Sequence, residues 1–488
     1  MRHLFRHVAI ATVLAATALP AAAAADTAPS PDAARPVVLG QGHLELSAAD
    51  FASFCSLATR QTRVHQMSLA MDLRQASGAT RAYSASLEVS GQVTPVEDAS
   101  GRSLAWAGEV VGVPGSTSYL TIKGACTPSA SDGEVQGFVR APGHKYLIGT
   151  DAHDRTLAGV TDVDPDALPA PQPDSLNLPD TLPATPERAT APLTPKAATK
   201  SVIDVAVGYT QAARNGLQTG EGSGYPSWYW RPRQAETEIR TTVAQMNRAF
   251  ATSGVNAEIR LVRIFEVPAF YGSEDPGEAL KQMDTGTGPI GSLARTVRDQ
   301  SGADLVSVLT NVSKGDGEYT AGQGDLPQNE NGSYTAPSRQ TGNAAYSSID
   351  VFSAIDGEPG FAHELGHNLG LMHDERTMNS QLQPIADANN VSIDYVKRYL
   401  NVPPVPAGQG YITPDAKWFT TMAYKVTCQP YAEQINTPDP SCQYTNTYST
   451  PRLSAGSTLL GQRNTADAAA ALNQTTPAIA AYRTARTS

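Results

Sequence analysis

The stretch His363-Glu-Leu-Gly-His-Asn-Leu-Gly-Leu-Met-His373-Asp374 constrains this chain more than any other. On a helix, side chains four residues apart rise from one face, one turn above the other, so His363 and His367 can hold a single ion together. Glu364 stands beside them, where a carboxylate reaches a water at the metal without being a ligand itself. Gly370 tolerates a positive φ, which lets the backbone leave the helix and bring His373 round as a third ligand. Three protein ligands leave one position open on a tetrahedral zinc ion, the arrangement of a catalytic rather than a structural site. From Ser201 to the C-terminus these are the only histidines. The plainer reading, a core helix whose histidines make ordinary hydrogen bonds, does not account for a glycine and a third histidine at fixed offsets.

The pattern resembles the HExxHxxGxxH signature of the metzincin zinc metalloproteases. Thr420-Thr-Met-Ala-Tyr424 resembles the Met-turn of that clan, whose methionine, here Met422, packs beneath the metal-binding imidazoles. Asp374 resembles the adamalysin or reprolysin branch, which implies a fold-supporting role. Tyr424 resembles the tyrosine of astacins and serralysins, which implies a metal ligand or a donor to the transition state. The resemblance implies an α+β fold: a metzincin-like catalytic domain with a mixed twisted sheet over the active-site helix, preceded by a mostly β prodomain. It implies a zinc-dependent endopeptidase acting on protein or peptide substrates, with Glu364 as general base. In the family the strand just before the metal helix is the sheet edge to which substrate adds itself, a role that falls here on Tyr346, Ser347, Ser348, Ile349, Asp350 and Val351.

The 488 residues are enough chain for two or three domains, and the net charge of -11 argues against a nucleic-acid partner. Arg2 and Arg6 precede an apolar run from Val8 to Leu19, and the alanines 21–25 offer A-x-A-type cleavage sites. Residues 1–25 therefore read as a secretory signal peptide, with a secreted protein free of the membrane after its removal. Four cysteines in an exported chain suggest two disulfides. Their spacing favours Cys55 with Cys126 and Cys428 with Cys442, each pair closing a loop within its own region. An alternative follows from the resemblance: a prodomain cysteine thiolate, Cys55 or Cys126, occupying the zinc's open position.

Residues 26–164 contain short alternating or β-rich runs separated by turn residues and read as a β-rich domain; the resemblance implies that it is a prodomain inhibiting its own catalytic part. His43, His65, His144 and His153 are scattered through it without ligand spacing. Residues 165–200 shift to Pro, Ala, Thr and Asp and read as an extended linker where maturation occurs, with Arg188, Lys196 and Lys200 as candidate cut sites. The catalytic domain then spans 201–488. Strands at 203–210, 259–265 and 303–310 alternate with helices at 234–250 and 290–300, the pattern of a mixed sheet. A further helix is expected at 392–399, and an Ala-rich terminal helix interrupted near Pro477. The stretch 314–339 is rich in Gly, Asn, Asp and Ser and reads as a solvated loop, with calcium as the alternative its oxygens allow. Two rival functions remain at this level: a zinc hydrolase of a non-protein amide, and a catalytically silent adhesin-like protein on the same scaffold.

Overall fold

The architecture comes from a computed structural model. It describes residues 38–45, 55–56, 65–75, 82–98, 101–123, 134–150, 157–165, 171–174, 182, 199–221, 223, 233–268, 274–312, 319–329, 332–355, 359–437 and 441–484. Residues 1–25, read above as a signal peptide, Cys126, His153, the candidate cut sites Arg188 and Lys196, and part of the 314–339 stretch lie outside these residues.

Alternation marks the first strands of the N-terminal region. In β2 (His65–Gln75), Leu69, Met71 and Leu73 are buried while Ser68, Ala70 and Asp72 are exposed, as a half-buried strand requires. The alternation persists in β1 (Val38–Glu45) and β3 (Ala82–Asp98), whereas β4 (Gly101–Val110), β5 (Thr117–Lys123), β6 (Glu134–Ala141), β7 (His144–Thr150) and β8 (Leu157–Val163) are largely buried on both faces. These strands pair antiparallel in sequence order and β8 returns to β1, so the expected β region is a closed eight-stranded barrel without open edges. Leu44, Leu69, Met71, Trp106, Leu120, Val139 and Ile148 belong to one apolar cluster. Each such fully buried side chain contributes about 1.5–3 kcal/mol. The Trp106 indole donates to Ser118 Oγ at 2.8 Å, satisfying its one polar group.

The barrel wall β4–β6 rests on the helix Ala235–Ser253. Thr121 meets Thr241, Tyr119 meets Asn446, and the Arg233 guanidinium donates to the carbonyl of Gly137. Val38 and Val163 join the same apolar cluster as Ile203, Val205 and Phe250. Residues 36–488 accordingly form one compact unit.

Beyond the barrel lies a five-stranded sheet in the order β10-β9-β11-β13-β12, from β9 (Ser201–Thr210), β10 (Ala257–Val267), β11 (Leu305–Thr310), β12 (Gly322–Gly324) and β13 (Tyr346–Asp350). Four strands are parallel and β12 runs antiparallel to β13. The mixed sheet matches expectation, and helices at Ala235–Ser253, Gly288–Ser301 and Ile393–Leu400 fall on the expected stretches. The expected substrate edge does not. β13 is paired on both sides, to β11 and β12, and Val351 opens the helix Val351–Ile355, so the edge on this side of the sheet is the three-residue strand β12. A strand so short, in a Gly-rich stretch, gives no period-2 signal to read.

The C-terminal part is more irregular. The Cys428–Cys442 disulfide is present, with Cα atoms 5.8 Å apart, and ties the helix Lys425–Gln434 to the chain after it. The terminal helix Ala468–Ile479 is not interrupted: Pro477 stands two residues from its end, so it removes the single bond its own N–H would make and leaves the body of the helix intact.

Candidate active site

The helix Gly360–Asn368 carries His363, Glu364 and His367, and its C-terminus explains how the third histidine arrives. Gly370 has φ +88°; its N–H bonds the carbonyl of His367, and the N–H of Leu371 bonds that of Gly366. This is a Schellman turn with glycine at its left-handed position, and a Cβ there would lie 2.6 Å from Pro337 Cδ. The chain reverses and delivers His373. Asp374 then caps the helix Glu375–Ala388, accepting from the N–H groups of Arg376 and Thr377 and from the Thr377 hydroxyl. Its own N–H donates to the carbonyl of Met422 at 3.0 Å, which locks the Met-turn to the ligand segment. Met422 is buried below the helix, and a Cβ on Gly366 would meet its Sδ at 2.5 Å.

The three imidazoles are buried and converge. His367 Nε2 and His373 Nε2 lie 3.1 Å apart, and the ring of His363 is 5.0 Å from that of His367 between centroids. Each Nδ1 has an outer acceptor: the Thr421 carbonyl for His363 at 2.8 Å, the Leu371 carbonyl for His367 at 2.9 Å, and Gln381 Oε1 for His373 at 2.8 Å. Protonation at Nδ1 leaves each Nε2 lone pair facing inward, as metal-ligating histidines require. Burial pushes the His363 imidazole down to about 4, so it stays neutral. Inward lone pairs packed this closely repel unless a cation lies among them, and the donor set fits zinc.

A fourth group occupies the site. Asp174, from the expected linker, is 2% exposed and places Oδ1 2.6 Å from His373 Nε2 and 3.7 Å from His363 Nε2, with Oδ2 3.5 Å from His367 Nε2. Among the described residues, Asp174 with the three histidines is the one cluster of such side chains able to hold a metal ion. The Tyr424 hydroxyl donates to Asp174 Oδ1 at 2.5 Å and lies 3.0 Å from His363 Nε2. Burial alone would raise the Asp174 carboxyl, but His373 and His367 beside it hold it well below the usual range. Burial and the negative Asp174 push Glu364 well above its ordinary value. Burial opposes charge on His373, yet the Asp174 carboxylate holds that imidazole above its usual value.

The segment around Asp174 crosses the site as a strap. Gln172 forms a parallel bridge to Thr320, with its N–H on the carbonyl of Tyr319 at 3.0 Å, just before β12. The Asp174 carbonyl accepts from Gln381 Nε2 at 2.6 Å, and Leu182 packs against the cluster containing Met378 and Leu382. Cys55 is disulfide-bonded, so its thiolate is not available to cap a metal. Asp174 stands there instead. Neither Asp174 nor Gln381 carries a sequence signal, one lying in a Pro-rich run and the other on the flank of an ordinary amphipathic helix.

Glu364 is buried, and its Oε2 has no hydrogen-bond partner among the described residues. β12 packs directly on it: a Cβ on Gly322 would lie 2.6 Å from Glu364 Cγ, and one on Gly324 2.3 Å from the Glu364 carbonyl oxygen. The sheet edge and the carboxylate thus sit side by side. Tyr346–Asp350, the expected edge, lies one strand further in.

Residues 236–374 match the family described as "Metallo-peptidase family M12B Reprolysin-like". Among curated proteins, the chain is 28% identical over 299 residues to a peptidyl-Asp metalloendopeptidase of Pseudomonas aeruginosa, covering 59% of this chain and 41% of that protein. The match therefore spans less than half the length of that relative. Among solved structures, metalloproteinase-II from Bacteroides fragilis is 11% identical, with 67% of this chain and 86% of that chain covered at a TM-score of 0.34. A chaperone–substrate complex is 15% identical, with 71% and 39% covered at 0.35. Scores this low leave the weight on the family match, the curated relative and the site geometry. Together these support a reprolysin-like metallopeptidase domain of the metzincin type, with a buried cluster of His363, His367, His373 and Asp174 able to hold a metal ion.

Proposed function

We propose that this protein is a secreted zinc-dependent endopeptidase kept latent by its own N-terminal region and strap. The observation that carries this reading is the convergence of three Nε2 lone pairs beside a buried glutamate with an unpaired oxygen. Zinc held by His363, His367 and His373 would polarise the scissile carbonyl and acidify a water. Glu364 takes that water's proton as it attacks and passes it to the leaving amine. The Tyr424 hydroxyl, freed from Asp174, donates to the oxygen that becomes negative in the transition state. β12 receives the extended substrate as an added strand, in the role that Tyr346 to Val351 do not fill.

Latency follows from the strap. Asp174 occupies the space between the imidazoles and engages the Tyr424 hydroxyl, so a substrate carbonyl reaches neither until residues 171–174 withdraw. Cleavage in 165–200, at Arg188, Lys196 or Lys200 if a basic-specific enzyme acts, is the proposed release step. A pairing of Cys55 with Cys126 belongs to the same export reading, as does removal of residues 1–25. Calcium in the 314–339 loop is a separate proposal, tested by a calcium-dependent rise in melting temperature. The adjacency of β12 and Glu364 favours an extended peptide over a small non-protein amide, and a silent adhesin has no need of Glu364.

The test is to express the chain from Asp26, process it, and assay unfolded casein and a mixed peptide library with and without chelator. The name of the Pseudomonas aeruginosa relative makes aspartyl peptides the first defined substrates to try. Chelator-sensitive cleavage, restored by zinc, is expected; cleavage indifferent to chelator would refute the reading. N-terminal sequencing of exported protein checks secretion and locates the processing cut.

A further inference from the structure

We propose that Gln381 is a positioning residue that couples the third metal ligand to whatever main chain lies in the cleft, strap or substrate. The proposal rests on the zinc-site reading above. Its basis is a difference among the three histidines. His363 and His367 are oriented by the backbone carbonyls of Thr421 and Leu371, which are fixed by the turns that contain them. His373 is oriented by a side chain, Gln381 Oε1, and the other end of that same amide donates to the Asp174 carbonyl at 2.6 Å.

The amide orientation is determined on both sides. A main-chain carbonyl only accepts, so Nε2 faces Asp174 and Oε1 faces the His373 Nδ1–H. Accepting at one end while donating at the other polarises the amide and strengthens both bonds. Gln381 is held in place by its helix, which starts at the Asp374 cap immediately after His373. The position of a peptide carbonyl in the cleft is thereby linked to the orientation of His373. When the strap leaves, Gln381 Nε2 loses its acceptor at a half-buried position. A substrate carbonyl in the place of the Asp174 carbonyl restores the bond.

Two variants of the full chain separate the two ends of the amide. Gln381→Glu keeps an acceptor for His373 Nδ1 and loses the donor to the strap; Gln381→Met loses both. Zinc affinity is measured by competition with a chromogenic chelator, and strap opening by hydrogen exchange at the backbone amides of Gln172 and Asp174, which bond the Tyr319 carbonyl and the Tyr424 hydroxyl. Gln381→Met should bind zinc roughly 10- to 100-fold more weakly, the usual effect of removing such a partner, while Gln381→Glu stays within about threefold of wild type. Exchange in the strap should be faster in both. After the strap is removed, Gln381→Glu should show a raised KM with kcat nearly kept, the pattern of lost uniform binding. Unchanged zinc affinity in a folded Gln381→Met, or unchanged strap exchange in Gln381→Glu, would overturn the role of Gln381. Wild-type protein that binds zinc and cleaves peptide isolates that failure from the underlying reading; wild-type protein that holds no zinc removes both.

Discussion

Asp174 Oδ1 lies 2.6 Å from His373 Nε2, joining a residue of the Pro-rich stretch before the catalytic domain to the last of the three histidines of the signature. The contact is buried on both sides, and the Tyr424 hydroxyl closes it from above. It makes the segment between barrel and sheet part of the site rather than a spacer.

Asp174→Asn keeps the shape and removes the charge. Hydrogen bonds to charged groups contribute about 1.5–3 kcal/mol each, so losing this one should raise cleavage by the unprocessed chain roughly 10- to 100-fold. A peptide assay on uncleaved protein, with chain length checked by mass spectrometry before and after, decides it. Equal activity in mutant and wild type would show that the strap is not the latch.

Glu364→Gln should lower kcat/KM of the processed enzyme by roughly 10²- to 10⁴-fold, the range for loss of a general base. Zinc content by elemental analysis should be unchanged, because Glu364 is not among the clustered ligand atoms. Undiminished activity would exclude Glu364 as the base.

Gly324→Ala and Gly322→Ala should part company. At Gly324 the conflict is with the backbone oxygen of Glu364, which cannot move aside, so the edge strand must lift from the helix. The cost should be about 1–3 kcal/mol, with melting temperature and kcat/KM falling together. At Gly322 the conflict is with the Glu364 side chain, which can swing away, so activity should fall with a smaller loss of stability. Parallel melts and rate measurements compare the two; identical behaviour would refute the packing argument.

His144 provides a pH test within the barrel. Its Nδ1 lies 2.9 Å from Asp162 Oδ2, and this hydrogen bond raises its pKa above the ordinary 6.5. A raised folded-state value means the contribution to stability is full below 6.5 and is lost as pH rises through the folded-state value. The imidazole is 43% exposed, so the contribution is under about 1 kcal/mol. Thermal melts of wild type and His144→Gln should differ at pH 5.5 and converge by pH 8.5. A difference independent of pH would rule the pair out as its source.

Much of the site was legible because it is local. The i, i+4 spacing of His363 and His367, the left-handed turn at Gly370 and the cap at Asp374 depend on residues a few positions apart, so the chain states them directly. The strands of the barrel were legible for the same reason, since alternation within β2 is a property of β2. Their closure was not, because pairing β8 with β1 joins distant segments with no periodic mark of it.

By itself, the sequence determined the spacing that brings His363, Glu364 and His367 onto one helix, the turn that follows them and the mixed α+β order of elements. Only the tertiary structure decided that β12 rather than β13 is the sheet edge, that Asp174 enters the metal site, and that Gln381 holds His373 and the strap at once. The physical reason is range. Helical spacing, turns and caps are set by backbone geometry over a few residues, whereas these three relationships arise from strand pairing and docking between segments far apart in the chain.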